Sequence, residues 1–481
     1  MTAPLAPARA VLLLAALAAA RTLNSQYRFN PLHHLTGISP YFESLDPPAS
    51  PDAPQGCTAE RAAYLIRHGS IYANDFDYET YMEPFVQKLS NKTGAVDWSK
   101  VPDLNFLANW EAPVSEAEAS LLTRVGKMQA TQLGVDLFFR YPHLRVPPKI
   151  YTSSAERTFR SAASIVRGFE LDDNTINVVS IYESEQSGAD GLTPYKGCPA
   201  YSSSAGSDES STFQRKFTEP IKARFNSVAP GFNFTTEDVF GMMQFCGYET
   251  VIRGRSRFCD LDLFTPDDWL AWEYSEDLRY FYNAGYGNAV AGSIGLPWFN
   301  ATANLLLSDD RSSSPEDLYV SVTHREMPPM IMVAMGLFNN SDHFTGGSAS
   351  SINDTMPLDR INHRRAWRAS HILPFLGNLA IERLNCSGSY GFADGQYYRV
   401  LVNSAPQPIP TCADGPGTSC SRSAFEGYVA ERTGMFKRFA EACGVDYNNS
   451  TDTVSIYTDP SVGNGTVVGK RHETTGVKEL L

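Results

Sequence analysis

Arg61-Ala62-Ala63-Tyr64-Leu65-Ile66-Arg67-His68-Gly69 is the stretch on which the fold turns. Its first six residues are mostly apolar and stop at a basic pair followed by glycine, the pattern of a buried strand that feeds a loop. The same order recurs downstream. Residues 148–152 read as a second strand, and Ser153-Ser154 ahead of an apolar-periodic stretch ending at Gly168 supplies a cap, a helix and a stop, which puts Arg157 in the first helical turn. A third β-branched run covers 176–181. The β signal returns over 318–323, immediately before His324, and a helical stretch over 330–337 follows Pro328 and Pro329, residues that a first turn tolerates.

Working outward, residues 78–89 and 116–139 carry helical spacing, with Leu121, Val125 and Met128 on one face of the second. Leu376, Leu379, Ala380 and Leu384 keep helical spacing as well, residues 397–402 read as a strand, and a helix is expected over 423–442. Residues 21–56 lack any sustained period and read as an irregular arm laid over the body. Alternating β and α units predict an α/β fold with a layered core. We place that core in 21–185 and 299–443, a smaller, mainly helical inserted domain in 186–298, and a C-terminal tail in 444–481.

The 481 residues carry a formal net charge of -13, which sets the chain against nucleic acid and against an anionic membrane surface. An anionic substrate must then be captured by a local basic pocket. Arg9, the apolar run over 10–20 and the small residues Ala18 and Ala20 form the pattern of a secretory signal, too short to span a bilayer. Cys57, Cys198, Cys246, Cys259, Cys386, Cys412, Cys420 and Cys443 make an even set without metal-binding spacing, as expected for disulfides in an exported protein. Glycosylation sequons starting at Asn91, Asn233, Asn300, Asn339, Asn353, Asn385, Asn448, Asn449 and Asn464 agree with a secreted, extracellular location. The remaining histidines, such as His33, His34, His143 and His371, are not spaced as a metal site, and no cofactor is called for.

Three separate segments place cationic or imidazole groups just past a strand or at a helix start: Arg67 with His68, Arg157, and His324 with Arg325 and Glu326. In open α/β sheets ligands bind in the crevice at the carboxyl ends of the strands. A phosphoryl group needs such a set, because the charge on its oxygens must meet donors fixed in advance, and the forked guanidinium of arginine suits that task.

Arg67-His68-Gly69, Leu122-Thr123-x-x-Gly126-x-x-Gln129, Ser153-Ser154-Ala155-Glu156-Arg157-Thr158-x-x-Ser161-Ala162 and Val320-Ser321-Val322-Thr323-His324 together resemble the histidine acid phosphatases, a family that includes phytases and inositol polyphosphate phosphatases. The resemblance covers most of the chain after the leader and implies a phosphoglycerate mutase-like α/β/α core. It implies His68 as nucleophile, Arg67, Arg157 and His324 as phosphate ligands, and Glu326 as donor of a proton to the leaving alcohol. It also implies the pairs Cys57 with Cys386, Cys198 with Cys443, Cys246 with Cys259, and Cys412 with Cys420. The substrate would be a small phosphomonoester, phytate or another inositol phosphate among the candidates, while the oligomeric state is left undefined.

Two departures stand out. The family's Arg-His-Gly-x-Arg-x-Pro becomes Arg67-His68-Gly69-Ser70-Ile71-Tyr72-Ala73, so Ile71 replaces a second arginine. The acidic motif reads His324-Arg325-Glu326, which leads us to expect Arg325 to supply the missing guanidinium or, alternatively, to face solvent beside a carboxylate. The rival function is a catalytically impaired phosphate-ester binding protein on the same fold. Ile71 favours that rival, whereas retention of a nucleophile and a proton donor favours an enzyme.

Overall fold

The computed structural model describes residues 29–91, 95–169, 176–312, 315–343, 352–447, 452–459, 462 and 466–467. The expected export signal and much of the far C-terminal segment lie outside these residues. Nine strands form one sheet: β1 (Cys57–Arg67), β2 (Lys149–Ser153), β3 (Asn177–Ile181), β4 (Leu318–Thr323), β5 (Asn378–Cys386), β6 (Gly395–Val402), β7 (Ala405–Gln407), β8 (Cys420–Ser421) and β9 (Thr466–Val467). The principal helices are α1 (Glu83–Asn91), α2 (Arg124–Arg140), α3 (Glu156–Phe169), α4 (Ser207–Val228), α5 (Thr236–Arg253), α6 (Pro266–Asn283), α7 (Ala291–Leu307), α8 (Met327–Ala334) and α9 (Arg422–Met435).

The order across the sheet is β7-β6-β5-β1-β4-β2-β3-β9. β1, β4, β2 and β3 run parallel, while β5, β6 and β7 extend the sheet antiparallel on the other side of β1. Parallel strands covered on both faces read as near-continuous apolar runs, and β4 is buried at all of its residues, with the hydroxyls of Ser321 and Thr323 hydrogen-bonded. Alternate side chains of β1 serve two cores. Tyr64 and Ile66 pack with Leu133 and Leu137 of α2 and Ile165 and Val166 of α3, whereas Ala63 and Leu65 pack with Ile294 and Trp298 of α7 and Ile331 of α8. The fold is therefore a mixed α/β sandwich, sheet between two helical layers, as the alternation of strands and helices predicts. Each fully buried Leu or Ile of these cores contributes about 1.5–3 kcal/mol.

Several expectations need correcting. Residues 378–386 are strand, not helix, because both faces of β5 are covered and apolar residues occupy both parities. The second expected helix starts at Arg124, and its buried side is Gly126, Ala130, Leu133 and Leu137, whereas Leu121 and Met128 are exposed. Within the expected C-terminal tail, the described residues 452–459 pack on the body: Val454, Ile456 and Tyr457 are buried, and the Tyr457 hydroxyl meets Trp298 Nε1 at 2.9 Å and Ser321 Oγ at 2.7 Å. The boundary expected at residue 298 falls inside α7, a helix that packs under β1 and β5. Leu32–Leu481 forms one compact unit, with α4, α5 and α6 as its predominantly helical part.

Four disulfides join Cys57 to Cys386, Cys198 to Cys443, Cys246 to Cys259, and Cys412 to Cys420, the pairing implied by the resemblance. The first ties the start of β1 to the end of β5, residues that are also register partners in the sheet.

Candidate active site

Because β1, β2, β3 and β4 are parallel, their C-terminal ends share one edge, and chemistry-bearing residues follow each of them. Arg67 ends β1 and His68 follows it; Arg157 sits in the first turn of α3 beyond β2; Glu183 lies just past β3; His324 just past β4. Arg67, His68, Arg157, His324, Arg325 and Glu326 all line one cavity of about 330 Å³. Ile71, Asn74, Phe76 and Tyr248 line the same cavity.

The motifs between these groups explain the loop's shape. Thr123 donates both its backbone N–H (2.9 Å) and its hydroxyl (3.0 Å) to the Ser70 carbonyl while capping α2 through the Gly126 N–H. The Ser70 hydroxyl donates to Gln129 Oε1 at 2.9 Å, and the Gly69 N–H to Ser161 Oγ at 2.8 Å. Gly126 must lack a side chain, since a Cβ there would lie 2.2 Å from the Ser70 carbonyl oxygen. The loop carrying His68 is thus clamped by the starts of two helices.

The His68 ring has its Nδ1 2.9 Å from the Gly69 carbonyl. A carbonyl only accepts, so Nδ1 carries the proton and Nε2 the lone pair. Burial, reinforced by Arg67, Arg157 and His324, holds the His68 pKa well below the usual imidazole value. The ring therefore stays neutral and nucleophilic in mildly acidic medium. Arg67 is buried under the Phe375 ring, 4.4 Å from its centroid, with Nη1 donating to the carbonyls of Gly37 and Leu373 at 2.6 Å each. Burial lowers its pKa to about 10, so it remains a cation, and its Nε is a buried donor without a hydrogen-bond partner among the described residues.

His324 lies 5.7 Å from His68, ring centre to ring centre. Its Nε2 is 2.9 Å from Glu183 Oε1, and its Nδ1 is buried without a hydrogen-bond partner among the described residues. Glu183 also accepts the Lys196 ammonium and, at 3.1 Å, the Ala155 N–H at the start of α3. Burial alone would raise the Glu183 carboxyl, but His324 and Lys196 outweigh it and hold the group far below the usual carboxylate range. Arg325 does not face away: it lines the cavity, with its Nε 3.1 Å from Glu326 Oε1. Burial raises the Glu326 carboxyl, yet Arg325 and His324 bring it net below its ordinary value.

Ile71 is buried in the cavity wall, bridged to Leu122, so the second-arginine position is apolar and Arg325 is the additional guanidinium in the cavity. Arg160 is exposed beside Glu156, and Lys216 donates to the Leu358 carbonyl away from the cavity lining. Sequence reasoning missed Glu183, Asn74 and Tyr248. Glu183 alone had a usable signal, its position at the carboxyl end of a parallel strand.

Against known proteins, the histidine phosphatase superfamily (branch 2) matches residues 60–403. Acid phosphatase PHO1 of Komagataella pastoris is 29% identical over 439 residues, covering 88% of each chain. The thiamine-repressible acid phosphatase pho4 of Schizosaccharomyces pombe is 30% identical over 418 residues, covering 82% of this chain and 86% of that one. Among solved structures, the phytase from D. castellii superposes with a TM-score of 0.80 at 25% identity, covering 93% of this chain and 96% of that one. A cavity of arginines and histidines at the carboxyl edge of this sheet, carried by a match over most of the chain, makes it a member of branch 2 of the histidine phosphatase superfamily. Within that branch it is a histidine acid phosphatase or phytase-like hydrolase.

Proposed function

We propose that the chain hydrolyses phosphomonoesters through a phosphohistidine on His68. Nε2 of His68 attacks phosphorus as the bond to the ester oxygen breaks, and Glu326 gives its proton to the departing alkoxide. Water then attacks the phosphohistidine, losing a proton to the Glu326 carboxylate, and the P–N bond breaks to release phosphate. Arg67, Arg157, Arg325 and His324 hold the nonbridging oxygens in both steps, where donors fixed in advance count most. The observation that carries this reading is the tautomer of His68, set by the Gly69 carbonyl inside a cavity lined by three guanidinium groups.

Acid-side activity follows from the same geometry. His68 remains neutral well below its ordinary pKa because it is buried among cations. Glu326 needs its proton for the first step, and the negative charge of a bound phosphoryl group opposes Arg325 and strengthens its hold on that proton.

Small monoesters are the favoured substrates. Beyond the catalytic and phosphate-binding groups the cavity lining adds Ile71, Asn74, Asp75, Phe76, Ser120 and Tyr248, with no further lysine or arginine among the described residues that line it. A densely anionic inositol hexakisphosphate would meet the Asp75 carboxylate there and gain no compensating cation. The phytase reading is supported by the likeness to the D. castellii enzyme. Extracellular operation is supported by the four disulfides.

Release of phosphate from a chromogenic monoester at mildly acidic pH should fall by about 10⁴-fold or more in His68→Ala. Tight phosphate binding without turnover in the wild type would leave the binding-protein reading in its place. kcat/KM for phytate against small alkyl and aryl monophosphates decides the substrate class.

A further inference from the structure

Glu183 is the most heavily committed carboxylate at the cavity edge, and the mechanism above gives it no step. Its side chain is only 7% exposed, it accepts His324 Nε2 and the Ala155 N–H on Oε1, and it accepts Lys196 on Oε2. Its own N–H is capped by the Ser154 hydroxyl at 3.2 Å, so its place past β3 is fixed. A carboxylate only accepts, so His324 must present N–H at Nε2. The other ring nitrogen, Nδ1, then has a proton to offer a phosphate oxygen only in the imidazolium form.

We propose that Glu183, anchored by Lys196, is a positioning residue for His324: it fixes the ring with Nε2–H toward the carboxylate, leaves Nδ1 for the anion, and couples anion binding to proton uptake by this histidine. The proposal rests on reading the cavity as a phosphate site. Around His324 the charged and titratable groups are Glu183 after β3, Arg157 on α3, His68 after β1, and Arg325 and Glu326 on its own loop; Ser153 Oγ at the end of β2 lies 3.4 Å from Nε2. Burial, with Arg157, disfavours the imidazolium, and Glu183 and Glu326 oppose them. An arriving dianion tips that balance, so the ring gains its proton when the anion binds. Lys196 moderates the effect by sharing the carboxylate's charge.

Sulfate is the probe, a tetrahedral dianion that does not itself titrate across the assay range. Its competitive Ki is measured against a chromogenic monoester as a function of pH in the wild type, Glu183→Gln and Lys196→Met. Gln keeps an Oε1 that can accept both N–H groups and removes only the charge. In the wild type the Ki should start to rise as pH passes the anion-free pKa of His324 and level off above its anion-bound pKa. Loss of an opposite charge in direct contact moves that rise about 1–3 pH units lower in Glu183→Gln, while the low-pH plateau keeps its value. Lys196→Met should move the rise the other way, to higher pH, because the whole carboxylate charge then acts on His324.

A Glu183→Gln profile that superimposes on the wild type, or lies above it by one constant factor at all pH, overturns the proposal. So does a Lys196→Met profile that is unmoved or shifted to lower pH, a result available even if Glu183→Gln fails to fold. A wild type that hydrolyses no monoester refutes the phosphatase reading and this proposal with it. An active wild type with unmoved variants refutes this one alone.

Discussion

Replacing Arg325 by Met removes a guanidinium while keeping much of the unbranched apolar stem, and the structure assigns two separable effects to the change. Arg325 lines the cavity in which Ile71 occupies the position of an expected arginine, so its loss takes away one of the three guanidinium groups that line it. One preorganised donor of this kind is worth about 10²–10³ in kcat, or roughly 2.7–4 kcal/mol. The second effect falls on Glu326, whose carboxyl lies 3.1 Å from Arg325 Nε. Burial pushes that carboxyl up and Arg325 is the largest influence bringing it down. With the cation gone its pKa should climb. The sign is definite: the limb of kcat that requires protonated Glu326 should extend to higher pH even as the maximum drops. Steady-state pH profiles with an alkyl monophosphate, whose leaving group needs the proton, and with p-nitrophenyl phosphate, whose leaving group does not, separate the two effects. Unchanged kcat and KM with both substrates would refute the assignment of Arg325 to the phosphate site.

Gly126→Ala forces a Cβ to 2.2 Å from the Ser70 carbonyl, so the loop bearing His68 must shift; a displacement near 1 Å costs about 10²-fold in kcat/KM, and kinetics alongside circular dichroism will show activity lost ahead of fold. Glu382→Gln leaves Arg399, buried at 2% exposure, without its paired charge, and should cost about 3–5 kcal/mol in chemical unfolding with little change in KM. Replacing both Cys57 and Cys386 by Ser opens a link across 329 residues of sequence and should cost about 2–5 kcal/mol, read as a lower unfolding midpoint under nonreducing conditions.

The legible parts of the chain were those where a buried parallel strand runs directly into chemistry. β1 into Arg67-His68, β2 into Arg157 and β4 into His324 each pair an apolar run with a polar residue that has no business in a core, and those positions are where the cavity lies. β5 defeated periodicity because it is covered on both faces between β1 and β6. With apolar residues at both parities, a spacing of three and four between leucines carries no helical information. Leu121 and Met128 misled for another reason: α2 packs through small residues such as Gly126, Ala130 and Gly134, which hydrophobic patterns undercount. Glu183 carried only the signal of its place past a parallel strand, and nothing in a lone glutamate announces that a histidine from a segment 141 residues away will bind it.

The sheet divides its labour sideways. The parallel strands end at the cavity, whereas the antiparallel flank of β5, β6 and β7 carries the Cys57–Cys386 link and the buried Glu382–Arg399 pair. Durability and turnover therefore reside in different neighbourhoods of one scaffold. A protein engineer can toughen the flank for heat or denaturant while leaving the reactive rim alone, and natural drift enjoys the same freedom to retune either property without disturbing the other.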